Sequence, residues 1–234
     1  MKTNLIAVAL VGIIGTFSAY GETSSWLEAG SMYSRTIENY SYSGKEQSTA
    51  LNSLDLVLSW YQLSPSRRVG WFARAGFLFP VSGTLMQDET KSPANIASYN
   101  WLVGIESIGG LAFRAPIGSM AWFTCGIGPC ISLQFGDYES INQVGVKSTA
   151  TSTNLRLGVG GDVGVIVILN SRFMLKIGSS ITYSAASLNW AAYNASAKPS
   201  HVDRYSSVVL SPYVALGVDF DVIDELGKAE STPR

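Results

Sequence analysis

Thr153 to Leu169 reads TNLRLGVGGDVGVIVIL. Leu155, Leu157, Val159, Gly161, Val163, Val165 and Val167 share one parity, and Asn154, Arg156, Gly158, Gly160, Asp162 and Gly164 hold the other. Alternation of this kind is the period of a β-strand, whose successive side chains point to opposite faces. A helix would mix the two sets around its circumference. One face is therefore aliphatic, and the other is small with one Arg and one Asp. The function of the chain turns on which face is inside.

Seven further segments repeat the pattern. Trp26 to Thr36 sets Leu27, Ala29 and Tyr33 against Glu28, Gly30 and Ser34. Asn52 to Gln62 sets Leu54, Leu56, Leu58 and Trp60 against Ser53, Asp55, Val57 and Ser59. Trp71, Ala73, Ala75, Phe77 and Phe79 oppose Arg74, Gly76 and Leu78; Tyr99, Trp101, Val103, Ile105, Leu111 and Phe113 oppose Asn100, Gly104, Glu106, Gly110 and Arg114. Phe123, Cys125, Ile127, Ile131, Leu133 and Phe135 face away from Thr124, Gly126, Gly128, Ser132 and Gln134. After the opening stretch, Phe173, Leu175, Ile177, Ile181 and Tyr183 oppose Lys176, Gly178, Ser180 and Thr182. In the eighth segment Val208, Leu210, Val214, Leu216, Val218, Phe220 and Val222 oppose Ser211, Tyr213, Gly217, Asp219 and Asp221.

The connections alternate in length. Those after the second, fourth and sixth segments are short, with turn chemistry at Ser64-Pro65-Ser66, Ala115-Pro116-Ile117-Gly118 and Asn170-Ser171. The others are long and polar: Ile37 to Ala50, Ser82 to Ser98, Asp137 to Ser152 and Ala185 to Tyr205. An even-stranded antiparallel meander with short turns at one end and long loops at the other is the layout of a transmembrane β-barrel of the outer-membrane type. The expected fold is all-β: an eight-stranded up-and-down barrel over residues 22–222, with short periplasmic turns and long extracellular loops.

A soluble barrel would also alternate, with the aliphatic face inward. Three features favour the reverse. The polar face is mostly Gly, Ser and Thr, and 14% of the 234 residues are charged, against about 25% in soluble domains. Small residues suit the narrow interior of an eight-stranded barrel. Aromatic residues mark both ends of the aliphatic face: Trp60, Trp71, Phe113, Phe123, Phe173 and Phe220 near the short turns, and Tyr33, Phe79, Tyr99, Trp101, Phe135 and Tyr183 near the long loops. Amphipathic rings prefer the two membrane interfaces. Finally, Glu28, Asp55, Arg74, Glu106, Arg114, Arg156, Asp162, Lys176 and Asp219 all fall on the polar parity. On a lipid face, Arg or Lys at mid-depth costs about 2–4 kcal/mol. Inside, acids and bases can pair as a hydrogen-bonded plug or line an ion-selective pore.

The N-terminus has the form of a secretory signal: Lys2, an apolar run from Leu5 to Ile14, and Ala19-Tyr20-Gly21, with cleavage expected after Gly21. Residues 223–234 are expected to form a short periplasmic tail. Cys125 and Cys130 stand five apart on one expected strand and face opposite ways, which favours two unpaired thiols; a bridge in a strand kinked at Pro129 is the alternative.

This layout resembles the small eight-stranded outer-membrane barrels, including the outer membrane protein W family and the transmembrane domain of outer membrane protein A. The resemblance spans Trp26 to Val222. Its most specific element is the end of the last segment, where Gly217, Phe220 and Val222 match the signal read by the barrel assembly machinery. Ala215 stands where that pattern has a polar residue, and the chain runs on to Arg234. The resemblance implies residence in the bacterial outer membrane, contact with its lipid, and passive uptake of small, mainly hydrophobic solutes. Candidate path residues are the less polar lumen positions Met32, Leu78, Leu102 and Tyr213.

Little points to catalysis. The one His, His201, lies beside Asp203 in the last long loop, without a nucleophile motif, a metal-ligand spacing or a phosphate-binding loop. The expectation is a protein that is not an enzyme and has no cofactor; the net charge of −1 argues against nucleic acid as a partner. A surface adhesin or structural barrel with a plugged lumen is the alternative to uptake, with Trp190 and Tyr193 as candidate contacts for host surface ligands. A soluble secreted binding barrel is the third reading.

Overall fold

A computed structural model describes residues 24–42, 45–64, 68–87, 90–93, 99–118, 120–141, 147–170, 172–193, 196–200 and 204–220. The expected signal peptide and C-terminal tail lie outside the described residues. So do Val222, His201 and Asp203, and the side chains of Tyr99, Trp190 and Tyr193.

Eight long antiparallel strands close on themselves: β1 (Ser24–Tyr42), β2 (Lys45–Leu63), β3 (Val69–Gln87), β5 (Tyr99–Pro116), β6 (Ala121–Ile141), β7 (Lys147–Ile168), β8 (Phe173–Tyr193) and β10 (Arg204–Asp219). The last strand pairs with both β8 and β1, so every backbone donor row has a neighbour. Such closure is what allows strands to cross hydrocarbon, where an unpaired amide costs several kcal/mol. Two short strands, β4 (Thr90–Pro93) and β9 (Ser196–Ser200), pair with β3 and β8 at the long-loop end.

The opening stretch occupies most of β7, and its two parities separate as expected. Arg156, Gly160, Asp162, Gly164 and Ile166 are buried, whereas Leu157, Val159, Val163, Val165 and Val167 are exposed. The same inversion holds around the barrel. Leu54, Leu56, Ile127, Ile177 and Leu216 lie between 56% and 65% exposed, while Lys176 and Arg156 are at 0% and 1%. A soluble protein would place these two sets the other way round.

The short turns form where expected. Ser64 and Val69 close the β2–β3 turn, with Arg68 at φ 55°; Ile117 bonds Ala121; and Leu169 bonds Phe173. Asn170 Oδ1 accepts from the backbone amides of Arg172 and Phe173, so the side chain supplies the turn that its sequence suggests. The long connections differ from expectation. Residues 37–42 pair with 45–50 as a continuation of β1 and β2, and 137–141 pair with 147–151 as a continuation of β6 and β7. The polar stretches are thus largely continued hairpin.

Aromatic rings circle the exposed belt at its two margins. Tyr33, Phe79, Trp101 and Tyr183 are exposed at one margin, and Trp71, Phe113 and Phe173 at the other. At the long-loop margin the polar tips are satisfied: Tyr33 Oη donates to Asn52 Oδ1 at 2.9 Å, and Trp101 Nε1 to Asp137 Oδ2 at 2.9 Å. At the short-turn margin Trp60 and Phe220 stack with centroids 5.5 Å apart.

Candidate functional site: the braced lumen

The interior is organised around Asp162 on β7. Its carboxylate accepts from Arg74 Nη1 at 2.5 Å, Lys176 Nζ at 2.7 Å, Tyr61 Oη at 2.6 Å and Tyr213 Oη at 2.7 Å. These groups come from β3, β8, β2 and β10, and β2 is the wall opposite β7 in the closed ring. Lys176 also reaches Glu28 at 3.4 Å and donates to Tyr61 at 2.6 Å; Trp26 Nε1 donates to Glu28 at 2.7 Å. Arg74 lies 4.1 Å from the centroid of the Tyr213 ring and 2.8 Å from Met32 Sδ. Two acids and two bases, Glu28, Asp162, Arg74 and Lys176, are all at 5% exposure or less. Their charges cancel, and multiple hydrogen bonds offset the desolvation that makes a buried pair costly.

An apolar layer lies beside this cluster. Trp26, Tyr61, Leu63, Phe72, Ile108, Ala112, Cys130, Ile166 and Met174 pack together on the lumen side, with Trp26 and Tyr61 stacked at 4.9 Å. Glycine makes room for it. A Cβ at Gly126 would lie 2.5 Å from Phe72 Cε1, and one at Gly217 would lie 2.6 Å from Met174 Cγ. Gly217, expected from the assembly signal, therefore also has a packing reason.

Beyond the cluster, toward the long loops, the lining is hydroxyl-rich. Ser34 donates to Asp55 and lies 2.9 Å from Ser211; Thr182 Oγ1 donates to Glu106 at 3.2 Å. Arg156 bonds Glu38 at 2.9 Å and Ser132 at 2.8 Å. Tyr205 Oη donates to Glu38 at 3.1 Å, and burial together with the adjacent carboxylate raises this hydroxyl above the usual tyrosine range, keeping it a donor.

The expected charge network is thus brought together in part. Glu28, Arg74, Asp162 and Lys176 form one cluster, Arg156 forms a second with Glu38, and Asp55 and Glu106 bond hydroxyls. Arg114 and Asp219 sit instead at the short-turn rim. Arg114 lies over Trp122 at 4.0 Å and donates to Ser24 at 3.2 Å, and Asp219 is half-buried opposite Trp26. Met32, Leu78 and Tyr213 are buried with Val57 and Ala215 as one packed cluster; Leu102 is half-buried. Tyr61, Glu38 and Phe72 have central roles that alternation does not single out, although all three lie on the polar parity. Cys125 and Cys130 are both free, Cys130 being buried on the lumen side and Cys125 half-buried, which bears out the reading of two unpaired thiols. No group of three His, Cys, Asp or Glu residues able to hold a metal occurs among the described residues.

No protein-family model matches the sequence, and no curated protein matches it. Solved structures do. A major outer membrane protein from Thermus thermophilus matches with a TM-score of 0.52 and 14% identity, covering 81% of this chain and 99% of that one. The outer membrane protein OprG from Pseudomonas aeruginosa matches with a TM-score of 0.50 and 13% identity, over 84% and 96%. Neisserial surface protein A matches over 85% and 99%, with a TM-score of 0.44 and 13% identity. With an apolar belt outside, charges inside and a closed antiparallel ring, the chain has the fold of the small eight-stranded outer-membrane β-barrels.

Proposed function

We propose that this protein is a closed barrel whose lumen is a structural brace and whose working surface is the hairpin end. The observation that carries the reading is the span of Asp162. One carboxylate ties four strands together across the interior, next to a packed apolar layer. Arg156 to Glu38 and Thr182 to Glu106 add two further cross-lumen ties. Bracing of this kind makes a rigid platform, and rigid platforms suit recognition by the segments they carry. The continued hairpins of β1–β2 and β6–β7 would present polar surface to ligands outside the cell. The reading includes no catalytic step and no cofactor; membrane lipid and the barrel assembly machinery, through Gly217 and Phe220, are its expected partners.

Uptake of small hydrophobic solutes is the competing reading. It requires Met32, Leu78 and Tyr213 to separate, since they are now buried against one another. Planar-bilayer recording on refolded protein decides between them. A closed brace gives no steady conductance and no solute flux into liposomes; reproducible single-channel steps or flux would overturn it.

A further inference from the structure

The outward face of the barrel is apolar over most of its height. Among the described side chains of the long strands, the charged groups that face outward are Arg35 on β1 and Asp137 on β6. Asp137 is matched, since Trp101 Nε1 donates to it. Arg35 is exposed, and no ion pair or hydrogen bond to its side chain occurs among the described residues. A cation on a lipid-facing strand is costly at mid-depth and tolerated near the interface. Tyr33 stands two positions before Arg35 on the same face, in the aromatic margin at the long-loop end. Arg35 is therefore at headgroup level on the outer side.

Three adjacent strands carry one polar row at this level. Arg35 is the register partner of Asn52 on β2, and Asn52 is that of Ser82 on β3. Direct partners of an antiparallel pair share a face. Simple alternation from Phe79 would turn Ser82 into the lumen. The register shift at Asn52/Ser53 leaves Val81 as an extra residue of β3 and re-aims Ser82 outward, beside Asn52. Tyr33 Oη donates to Asn52 Oδ1, and Asn52 Nδ2 donates to Ser82 Oγ, each at 2.9 Å. The direction of these bonds decides what the row can take. The Asn52 carbonyl is engaged by Tyr33, and the Ser82 oxygen by Asn52. What the row offers outward is donors: the guanidinium N–H groups of Arg35, the second N–H of Asn52 and the hydroxyl proton of Ser82.

We propose that Arg35, Asn52 and Ser82 form a contact site for the phosphate group of an outer-leaflet lipid. A planar guanidinium suits bidentate pairing with phosphate, and two neutral donors beside it suit the remaining phosphate oxygens. The apolar column below the row fixes the source of that phosphate. Leu54 and Leu56 on β2, Phe77 and Phe79 on β3, and Leu210 on β10 are all exposed on the same wall. A lipid uses both parts, with its phosphate on the row and its acyl chains along the column; a free anion uses the row alone. The site is on the outer wall, so it holds whether the lumen is closed or open and whether or not the hairpins bind a ligand.

Native mass spectrometry of the refolded full-length barrel, released from detergent, tests this with three probes: bis-phosphorylated lipid A, the same lipid with both phosphates removed, and inorganic phosphate. The parent should bind the phosphorylated lipid about tenfold more tightly than the phosphate-free one, as charge-assisted bonds to an Arg require. Arg35→Gln should remove most of that preference. Arg35→Lys, which keeps the charge without the planar fork, should fall between the two. Ser82→Ala should weaken the phosphorylated lipid by about twofold, the loss of one neutral donor. Arg172→Gln removes an exposed cation at the opposite margin and should leave binding unchanged. The mobility of unheated samples shows which variants are folded; if Arg35→Gln is not, Arg35→Lys and Ser82→Ala make the same comparison. Equal binding of the two lipids by the parent overturns the site, as does a preference undiminished in the Arg35 and Ser82 variants. A loss in Arg172→Gln equal to that in Arg35→Gln marks general charge attraction and overturns it. Displacement of the lipid by an equal concentration of inorganic phosphate marks a free-anion site and overturns the lipid assignment.

Discussion

Asp162→Asn is the most informative single change in the lumen. The amide keeps the size of the carboxylate, so packing is nearly conserved and the loss is electrostatic. Arg74 and Lys176, at 4% and 0% exposure, would then share one remaining acid of the cluster, Glu28, which lies 3.4 Å from Lys176. The amide nitrogen would also face donors: at least one of Arg74, Lys176, Tyr61 and Tyr213 would lose its acceptor. Removing one partner of a buried pair costs about 3–5 kcal/mol, because it strands an uncompensated charge. The assay is urea unfolding of the barrel in lipid vesicles, followed by tryptophan fluorescence and by the mobility shift of unheated samples. The second leg is Asp162→Asn combined with Lys176→Met, which leaves Arg74 and Glu28 balanced. Coupled neighbours depart from additivity by about 0.5–3 kcal/mol, so the double variant should recover a measurable part of the loss. A cost below about 1 kcal/mol, the range of solvated surface pairs, would refute the dry, braced interior.

Other outcomes follow from the same geometry. Leu157→Arg and Val163→Arg, both on the exposed parity of β7, should destabilise the barrel in vesicles by about 2–4 kcal/mol where they lie near mid-depth; a soluble barrel would tolerate them. Gly126→Ala should cost about 1–3 kcal/mol through overpacking against Phe72, and adding Phe72→Leu should return most of it in the same unfolding assay. Glu38→Gln should loosen the hairpin end, since Glu38 holds both Arg156 and Tyr205; faster amide exchange in residues 36–42 and 204–208 is the readout, with the Asp162 layer unchanged.

Much of the fold can be read from the chain because a β-strand in a bilayer makes one demand everywhere: apolar on one parity, small or paired on the other. Thr153 to Leu169 meets that demand without interruption, and its two faces separate in the barrel as read. What alternation cannot supply is partnership across the lumen, which depends on strand tilt and stagger. Asp162 and Arg74 are 88 positions apart, and Tyr61 and Asp162 101; nothing local in the sequence links them. Tyr61 and Phe72 lie on the polar parity but are not polar in the ordinary sense, so they do not stand out among the charges. Glu38 falls in a stretch that reads as loop, because that stretch lacks the aliphatic alternation of the other segments. The β7–β8 register shift at Leu157/Gly158 also changes which parity of β8 faces inward, and Leu188 is exposed where Ser187 bonds Asn154. Arg114 and Asp219 share the inward parity with the cluster, yet their positions at strand ends leave them at the rim.

The orientation of the aliphatic face underlies every step, and spin labels test it directly. Single cysteines at Leu157, Val159, Val163 and Val165, in a background with Cys125 and Cys130 replaced, would carry nitroxides into vesicles. Power saturation should find high oxygen and low nickel-chelate accessibility at all four, the signature of hydrocarbon contact. Labels that are shielded from oxygen, or reached freely by the chelate at mid-strand, would mean that these side chains face a core or water, and the barrel would be inside out from the one described.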